Sequence, residues 1–376
     1  MHNNFYAGCL IIYFWFFGFG LNHLQAQDPY FSQYYTNKIQ LNPALTGYDR
    51  GMMFSTITRN QWYGLEKGTP FLTSSAELSW EVPNLFSGYV IQNQINREGA
   101  APINWHKAGI SYAFRNRSCL SGHQKIEWAL GFQANYNYLA INYDRLVFRS
   151  MLHPLDGQVV DRPPDELYNF NRDKYFDLAF GAMVRLQPVE DDDQVVLGFS
   201  AHHLGNRGGF LGTANQNTLR YSFHASYEQN EAFRQTGLYF TPTFRTDIQS
   251  ASAWWAKDGF RSMFTQIGSV VTIGTDNKFW VGGWYRGRII RSQTLDVKGN
   301  IHAIILGIGF RNLYNSSFRR GSNNWQAGIT YDYNISGNGR GLIGDGNGTL
   351  EFFLTFNLPQ ATWAQCSGIR VCPPTL

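Results

Sequence analysis

In the stretch Trp325-Gln326-Ala327-Gly328-Ile329-Thr330-Tyr331-Asp332-Tyr333-Asn334, every odd position is apolar and every even one is polar or glycine. That is the period of a β-strand, whose successive side chains point to opposite faces, so this chain must build a sheet with two chemically different surfaces. The pattern recurs. Trp128, Leu130, Phe132, Ala134, Tyr136 and Tyr138 oppose Glu127, Gly131, Gln133, Asn135 and Asn137. Tyr221, Phe223, Ala225 and Tyr227 oppose Arg220, Ser222, His224, Ser226 and Glu228, and Leu350, Phe352, Leu354 and Phe356 form a further face near the end.

About fourteen such segments occur, starting near Met53, Phe71, Phe86, Trp105, Gln124, Tyr175, Gln194, Leu219, Thr236, Met263, Lys278, Asn300, Asn324 and Thr349. Each runs for about ten residues, the length a tilted strand needs to cross a bilayer. The even count suits a single-chain outer-membrane barrel with both termini in the periplasm. Connection lengths point the same way. With the first strand running outward, the inner connections are 81–85, 116–123, 188–193, 229–235, 274–277 and 312–323. The outer ones are 63–70, 96–104, 140–174, 204–218, 248–262, 287–299 and 335–348. Apart from 312–323, the long connections all fall on one side, which a soluble β-sandwich has no reason to do. Pro242 interrupts its segment, and a bulge or register break is expected there.

The apolar run at 10–21, with Ala26 before Gln27, reads as a secretory signal peptide, although this leader carries no Lys or Arg. The expected organisation is then a leader (1–26), an amino-terminal segment (27–52), the barrel (53–358) and a periplasmic tail (359–376). A formal net charge of +4 without a basic run does not suggest nucleic acid as a partner. By this topology Cys119 sits on an inner turn and Cys366 and Cys372 in the tail, all in a compartment where disulfides persist. A Cys366–Cys372 ring is the simplest pairing; a bridge from Cys119 to either would instead tie the tail to the barrel mouth.

Motifs that elsewhere carry chemistry lack their context here. Gly339-Arg340-Gly341-Leu342-Ile343-Gly344 fits a dinucleotide fingerprint but lies between two strands with no helix to follow. Asp345-Gly346-Asn347-Gly348 lacks the later acidic ligand of a calcium loop, and Glu190-Asp191-Asp192-Asp193 reads as a solvated hairpin. His202 and His203, adjacent on a strand, are expected on opposite faces and so cannot chelate one metal together. His106 and His302 are isolated. Trp254-Trp255 and the Trp280/Trp284 pair are expected in interfacial aromatic belts. No G-x-S-x-G is present. The expectation is a chain without enzymatic activity and without a cofactor.

The segment after the leader has neither the strand nor the helix period. Gln27-Asp28-Pro29-Tyr30-Phe31-Ser32-Gln33-Tyr34, then Leu41-Asn42-Pro43-Ala44-Leu45-Thr46-Gly47, then Arg59-Asn60-Gln61-Trp62 resemble, in order and spacing, the blocks QDPxFSQY, LNPAxxG and RNQW of the PorP/SprF family. These are outer-membrane proteins of the type IX secretion and gliding-motility machinery of Bacteroidetes. Asp144-Arg145-Leu146-Val147-Phe148, Phe176-Asp177-Leu178-Ala179-Phe180-Gly181, Lys278-Phe279-Trp280-Val281-Gly282 and Tyr331-Asp332-Tyr333 extend the resemblance along the chain. It implies a non-enzymatic barrel that supports secretion or surface anchoring of one large adhesin-like cargo with a type IX carboxy-terminal signal. It also implies periplasmic contact with a peptidoglycan-binding protein of the OmpA type and, through it, with the motor and ring components. Asn42-Pro43-Ala44 before the first strand also resembles the hatch of fourteen-stranded FadL-type transporters, which implies the alternative of a channel for hydrophobic small molecules.

A barrel of this size needs a plug or leaves a channel. Asp28 to Gly47 is expected to fold into the periplasmic mouth as that plug. Pro29 and Pro43 suit irregular backbone, and Phe31, Tyr34 and Tyr35 offer area to bury. Asp28, Pro29, Phe31, Ser32, Gln33, Tyr34, Tyr35, Asn42, Pro43, Ala44 and Gly47 are therefore the candidate plug and partner-binding residues. The outer connection 140–174, with Pro154, Pro163 and Pro164, is the candidate cargo contact.

Overall fold

The computed structural model describes residues 30–49, 51–61, 71–82, 87–98, 103–120, 124–141, 172–188, 193–204, 219–229, 237–250, 260–274, 278–290, 299–312, 324–335 and 348–358. The strands are β1 (Met52–Gln61), β2 (Phe71–Val82), β3 (Ser87–Glu98), β4 (Ile103–Leu120), β5 (Gln124–Ile141), β6 (Arg172–Pro188) and β7 (Gln194–His202). They continue as β8 (Leu219–Glu228), β9 (Leu238–Ser250), β10 (Phe260–Ile273), β11 (Lys278–Ile290), β12 (Gly299–Asn312), β13 (Asn324–Asn334) and β14 (Thr349–Leu358). Each pairs antiparallel with its sequence neighbours, and β1 pairs with β14 from Met52↔Leu358 to Gln61↔Thr349, which closes the barrel. A bilayer imposes this closure, because an open edge would leave backbone groups unpaired in hydrocarbon.

The alternation sorts the two faces as the sequence predicts. Ile110, Phe176 and Leu306 are 65%, 66% and 62% exposed on the lipid side. Glu127, Gln133, Asn135, His224 and Asp332 are buried on the lumen side. Strand starts fall within three residues of those expected, but the strands run from 9 residues in β7 to 18 in β4 and β5 rather than about ten throughout. The pairing of β4 with β3 stops at Ser87↔Phe114, whereas its pairing with β5 continues to Leu120↔Gln124. Asn116 and Ser118 are exposed on that extension, so the ladder runs on past the apolar band into water. Cys119 accordingly lies on a strand, opposite Lys125, not on a turn.

Three expectations are corrected. The β9–β10 register passes Pro242↔Ser269 unbroken, and its irregularity lies instead at Phe260/Ser262. The β8–β9 ladder ends at Ser226↔Thr243, one residue short of the proline, so on that side no pairing is asked of Pro242. Trp280 and Trp284 are not in a lipid belt: they are 0% and 3% exposed and face the lumen, while Val281 and Tyr285 face outward. His203 lies beyond the end of β7 with φ 65°, and this left-handed turn brings its ring back inside, 3.0 Å from Asp177. His202 and His203 are thus both buried.

Candidate functional site: the amino-terminal segment inside the barrel

The lumen contains residues of the chain's own amino-terminal segment. Between Phe31 and Tyr48 every side chain except Tyr35 and Lys38 is buried. The segment forms a tight turn at 32–36, a single helical turn α1 (Lys38–Leu41) and a 3-10 turn (Pro43–Leu45).

Its first part lies against the wall around the β1–β14 seam. Tyr30 stacks on Phe264 at 4.4 Å. Phe31 enters a buried cluster of Ile57, Val270, Trp280, Trp284, Ile305 and Phe353. The next two residues meet charge. The Glu351 carboxylate accepts the backbone N–H groups of Ser32 (2.9 Å) and Gln33 (2.6 Å), and the Ser32 hydroxyl donates to Asp332 at 2.8 Å. Arg59 binds Asp332 (2.9 Å), Glu351 (3.2 Å) and the Ser32 oxygen (2.8 Å), and Arg286 binds Asp332 at 2.7 Å. Arg59 and Glu351 are direct partners in the β1–β14 register, so barrel closure itself assembles this cluster. Two guanidinium groups and two carboxylates balance, which is what allows Arg59, Asp332 and Glu351 to be buried beside the partly exposed Arg286. Gln266 donates to the Ser32 carbonyl at 2.8 Å.

The second part lies against β2 to β8, and here contacts to backbone dominate. Arg220 donates to the Gln40 carbonyl (2.8 Å) and Ser200 to that of Leu41 (2.7 Å). Asn42 caps the 3-10 turn by accepting from the Ala44 N–H at 2.9 Å, with Pro43 at the first position where no donor is needed. The Asn42 amide nitrogen donates to the Ala182 carbonyl at 3.0 Å and lies 3.0 Å from His224 Nε2. A Cβ on Gly131 would collide with Pro43 and Ala44, and one on Gly181 with Asn42. These two glycines are register partners on β5 and β6, and they let the turn rest directly on the wall. Gly47, at φ +64°, sits against Gly88 and donates to Ser79 at 3.0 Å. Arg115 donates to the Thr46 carbonyl, and the Arg185 guanidinium lies 4.1 Å from the Tyr48 ring. Leu41, Ala44, Leu45 and Tyr48 pack with Ala129, Met183 and Val196.

Tyr34 belongs to the second apolar cluster, and Tyr35 packs against both. Burial pushes the Tyr34 phenol up to about 12, and it raises the Tyr35 and Tyr48 phenols as well, so all three are neutral.

Of the candidate residues, Phe31, Ser32, Gln33, Tyr34, Tyr35, Asn42, Pro43, Ala44 and Gly47 are all in the lumen. Asp28, Pro29, Trp62, Cys366 and Cys372 lie outside the described residues, as do Trp254-Trp255, the glycine run at 339–344 and most of the connection 140–174. In the Arg59-Asn60-Gln61 block Arg59 alone joins the lumen cluster; Asn60 pairs with the outward Leu350. The segment also reaches deeper than a mouth. It leads into β1 at Met52, yet Ser32 is held by Arg59, two residues from the other end of that strand. Sequence reasoning missed Trp280, Trp284, Arg286 and Glu351 as its partners. The available signal was apolar residues of both parities in Lys278-Phe279-Trp280-Val281, which breaks the alternation where the inner wall is itself apolar.

No curated protein matches the chain. Among solved structures it is similar to a Pseudomonas aeruginosa FadL homologue, at 10% identity and TM-score 0.41, over 85% of this chain and 93% of that one. The Ralstonia pickettii toluene transporter TbuX matches at 9% identity and TM-score 0.44, over 87% of this chain and 94% of that one. The Pseudomonas putida toluene transporter TodX matches at 7% and 0.40, over 89% and 95%. The model of the type IX secretion system membrane protein PorP/SprF matches residues 23–356, and the chain belongs to that family of outer-membrane secretion components.

Proposed function

We propose that this barrel is a non-enzymatic component dedicated to the secretion or surface anchoring of one large, adhesin-like cargo protein with a type IX carboxy-terminal signal. Both termini face the periplasm, and residues 27–52 close the lumen while offering a surface to a periplasmic OmpA-type protein and, through it, to the motor and ring components. The connection 140–174 on the opposite side meets the cargo. The observation that carries this reading is that the lumen is occupied by the chain itself, held by side chains or carbonyls of β1 to β4, β6 to β8, β10, β11, β13 and β14. A conduit for hydrophobic small molecules would need an apolar free path; much of this interior is lined by Gln, Asn, Arg and Glu, and its apolar part around Trp280 and Trp284 is taken by Phe31. The contact of Ser200 with His202 at 3.0 Å does not suggest a nucleophile, because the hydroxyl donates to the Leu41 carbonyl and both groups are buried beneath the segment.

Deletion of the gene is expected to remove one specific large protein from the cell surface, read by surface proteomics. Copurification from solubilised outer membrane is expected to yield that protein and the OmpA-type partner. An unchanged surface proteome would remove the reading. Replacing Phe31 and Tyr34 with Ala separates the two roles of the segment. Lost barrel assembly supports a seal, and normal assembly with lost secretion supports recognition.

A further inference from the structure

The barrel wall is thin at one place, and the turn around Asn42 lies behind it. On the bilayer side of β5 to β9, two small outward residues, Ala182 and Ala225, form the floor of a groove walled by Leu130, Leu197, Phe199, Phe223 and Phe244. The groove has a volume of about 540 Å³, which lies in the range of small-molecule sites. It passes between the side chains to reach Met183 and His224, which belong to the lumen face. On that lumen face Gly181 and Gly198 have no side chain; a Cβ on Gly181 would strike Asn42, and one on Gly198 would strike the His224 ring and then Asn42. The Ala182 residue of the floor gives its carbonyl to the Asn42 amide at 3.0 Å. One layer of backbone therefore separates the groove from the segment inside the barrel.

We infer that this groove is a binding site for one acyl chain of a membrane phospholipid. The occupant follows from continuity with the lipid-facing surface, since Leu197 and Phe223, 48% and 38% exposed, belong to the same outward apolar band as Leu178 and Phe240. An apolar concavity in that band is filled by whatever the bilayer supplies, and a flexible alkyl chain fits without leaving a polar group unpaired. Phospholipid rather than lipopolysaccharide follows from depth. In the 17-residue β6, Ala182 is the seventh residue counted from the end of the barrel where β1 begins, so the groove lies in the half of that wall which faces the periplasmic leaflet under the orientation proposed above.

The test uses the full-length protein in nanodiscs of phosphatidylethanolamine and phosphatidylglycerol, with a trace of phosphatidylethanolamine carrying a diazirine in one acyl chain. After photolysis and peptide mapping, labelling on β7 and β8 should exceed that on the outward residues Leu306 and Ile308 of β12 by about fivefold, a preference of about 1 kcal/mol. Ala182→Trp should bring it down to the β12 level. Equal labelling of all strands in the unmodified protein, or undiminished labelling in a correctly folded Ala182→Trp, overturns the site. Should Ala182→Trp fail to show the heat-modifiable mobility of a folded barrel, Ala225→Phe serves in its place. Nanodiscs are symmetric, so this outcome does not depend on orientation. Protease accessibility of a tag after Leu376 in intact cells reports orientation separately. Labelling in outer-membrane vesicles by a lipid A probe in place of the phospholipid probe would overturn the choice of lipid.

Discussion

The two halves of the luminal segment are held by different physics. From Tyr30 to Gln33 the wall reaches in with side chains: a tryptophan-lined apolar pocket for Phe31, and a cluster of four charges, three of them buried, for Ser32 and Gln33. From Asn42 to Gly47 glycines on β3, β5 and β6 let backbone meet backbone, and wall side chains such as Ser79 and Arg115 reach the segment's main chain. The first mode depends on partners that are all present or costly to lose, and the second on the absence of a single atom. Damage should therefore be electrostatic at one end and steric at the other, and the two can be broken separately. Trp280 and Trp284 pack against Phe31, so in a protein whose other tryptophans are replaced by Phe their fluorescence reports undocking of the first half, while heat-modifiable gel mobility reports the barrel.

The largest effect is expected from Arg59→Ala, which removes the cation shared by Asp332 and Glu351 and leaves Asp332 its contact with Arg286. Removing one partner of a buried ion pair costs about 3–5 kcal/mol. The tryptophan signal should shift at lower urea while the barrel transition moves little. Glu351→Gln keeps the shape and should cost less, because one of the Ser32 and Gln33 N–H groups, which bind different carboxylate oxygens, keeps an acceptor and Asp332 still faces Arg59. A Glu351→Gln as damaging as Arg59→Ala would mean that shape, not charge, holds this end.

Gly131→Ala attacks the other half. Its Cβ would fall within the Pro43–Ala44 backbone, so the turn must lift, at a cost of about 1–3 kcal/mol by the usual range for overpacking. Limited proteolysis should cut between Leu41 and Tyr48 faster, while Trp280 and Trp284 keep their emission. Unchanged proteolysis would place the turn off the wall.

Alkaline pH joins the halves, since Tyr34 lies between them. Its folded pKa, about 12, is above the ordinary 10, so docking is fully stabilised below pH 10 and weakens as pH rises toward 12, where the released phenol ionises and the buried one does not. Tyr34→Phe should flatten the dependence of the urea midpoint between these values, leaving the residue due to Tyr35 and Tyr48. A Tyr34→Phe protein with the same alkaline loss as the parent would place the titrating group elsewhere.

Much of this was readable in the chain, for a reason tied to period. In Trp128 to Tyr138 or Trp325 to Asn334 one parity meets lipid and the other a polar lumen, so two residues of sequence suffice to assign a face. The rule fails where both faces are apolar. Trp280 looks like a lipid-belt residue until Phe31 is found against it, some 250 positions away in sequence. The same distance hides the Arg59–Glu351 contact, which exists only because β1 meets β14. His203 shows the opposite limit: a single left-handed residue after β7 reverses its side, and alternation carries no sign of a strand's last residue.

The smallest effect sharpens the comparison most. Asn42→Ala removes the cap on the Pro43 turn and the donor to Ala182, and caps of this kind are worth about 1 kcal/mol. Combined with Arg59→Ala it forms a double-mutant cycle between the two halves. If they dock independently, the costs add within about 0.5 kcal/mol, as for distant sites without shared partners. Tyr35 packs on both clusters, however, and is a residue through which one half could feel the other. A coupling above that limit which disappears in Tyr35→Ala would make the segment a single cooperative body, released all at once. Additivity would make it two latches, so that a partner pulling on one end could free Phe31 and leave the Asn42 turn seated on its glycines.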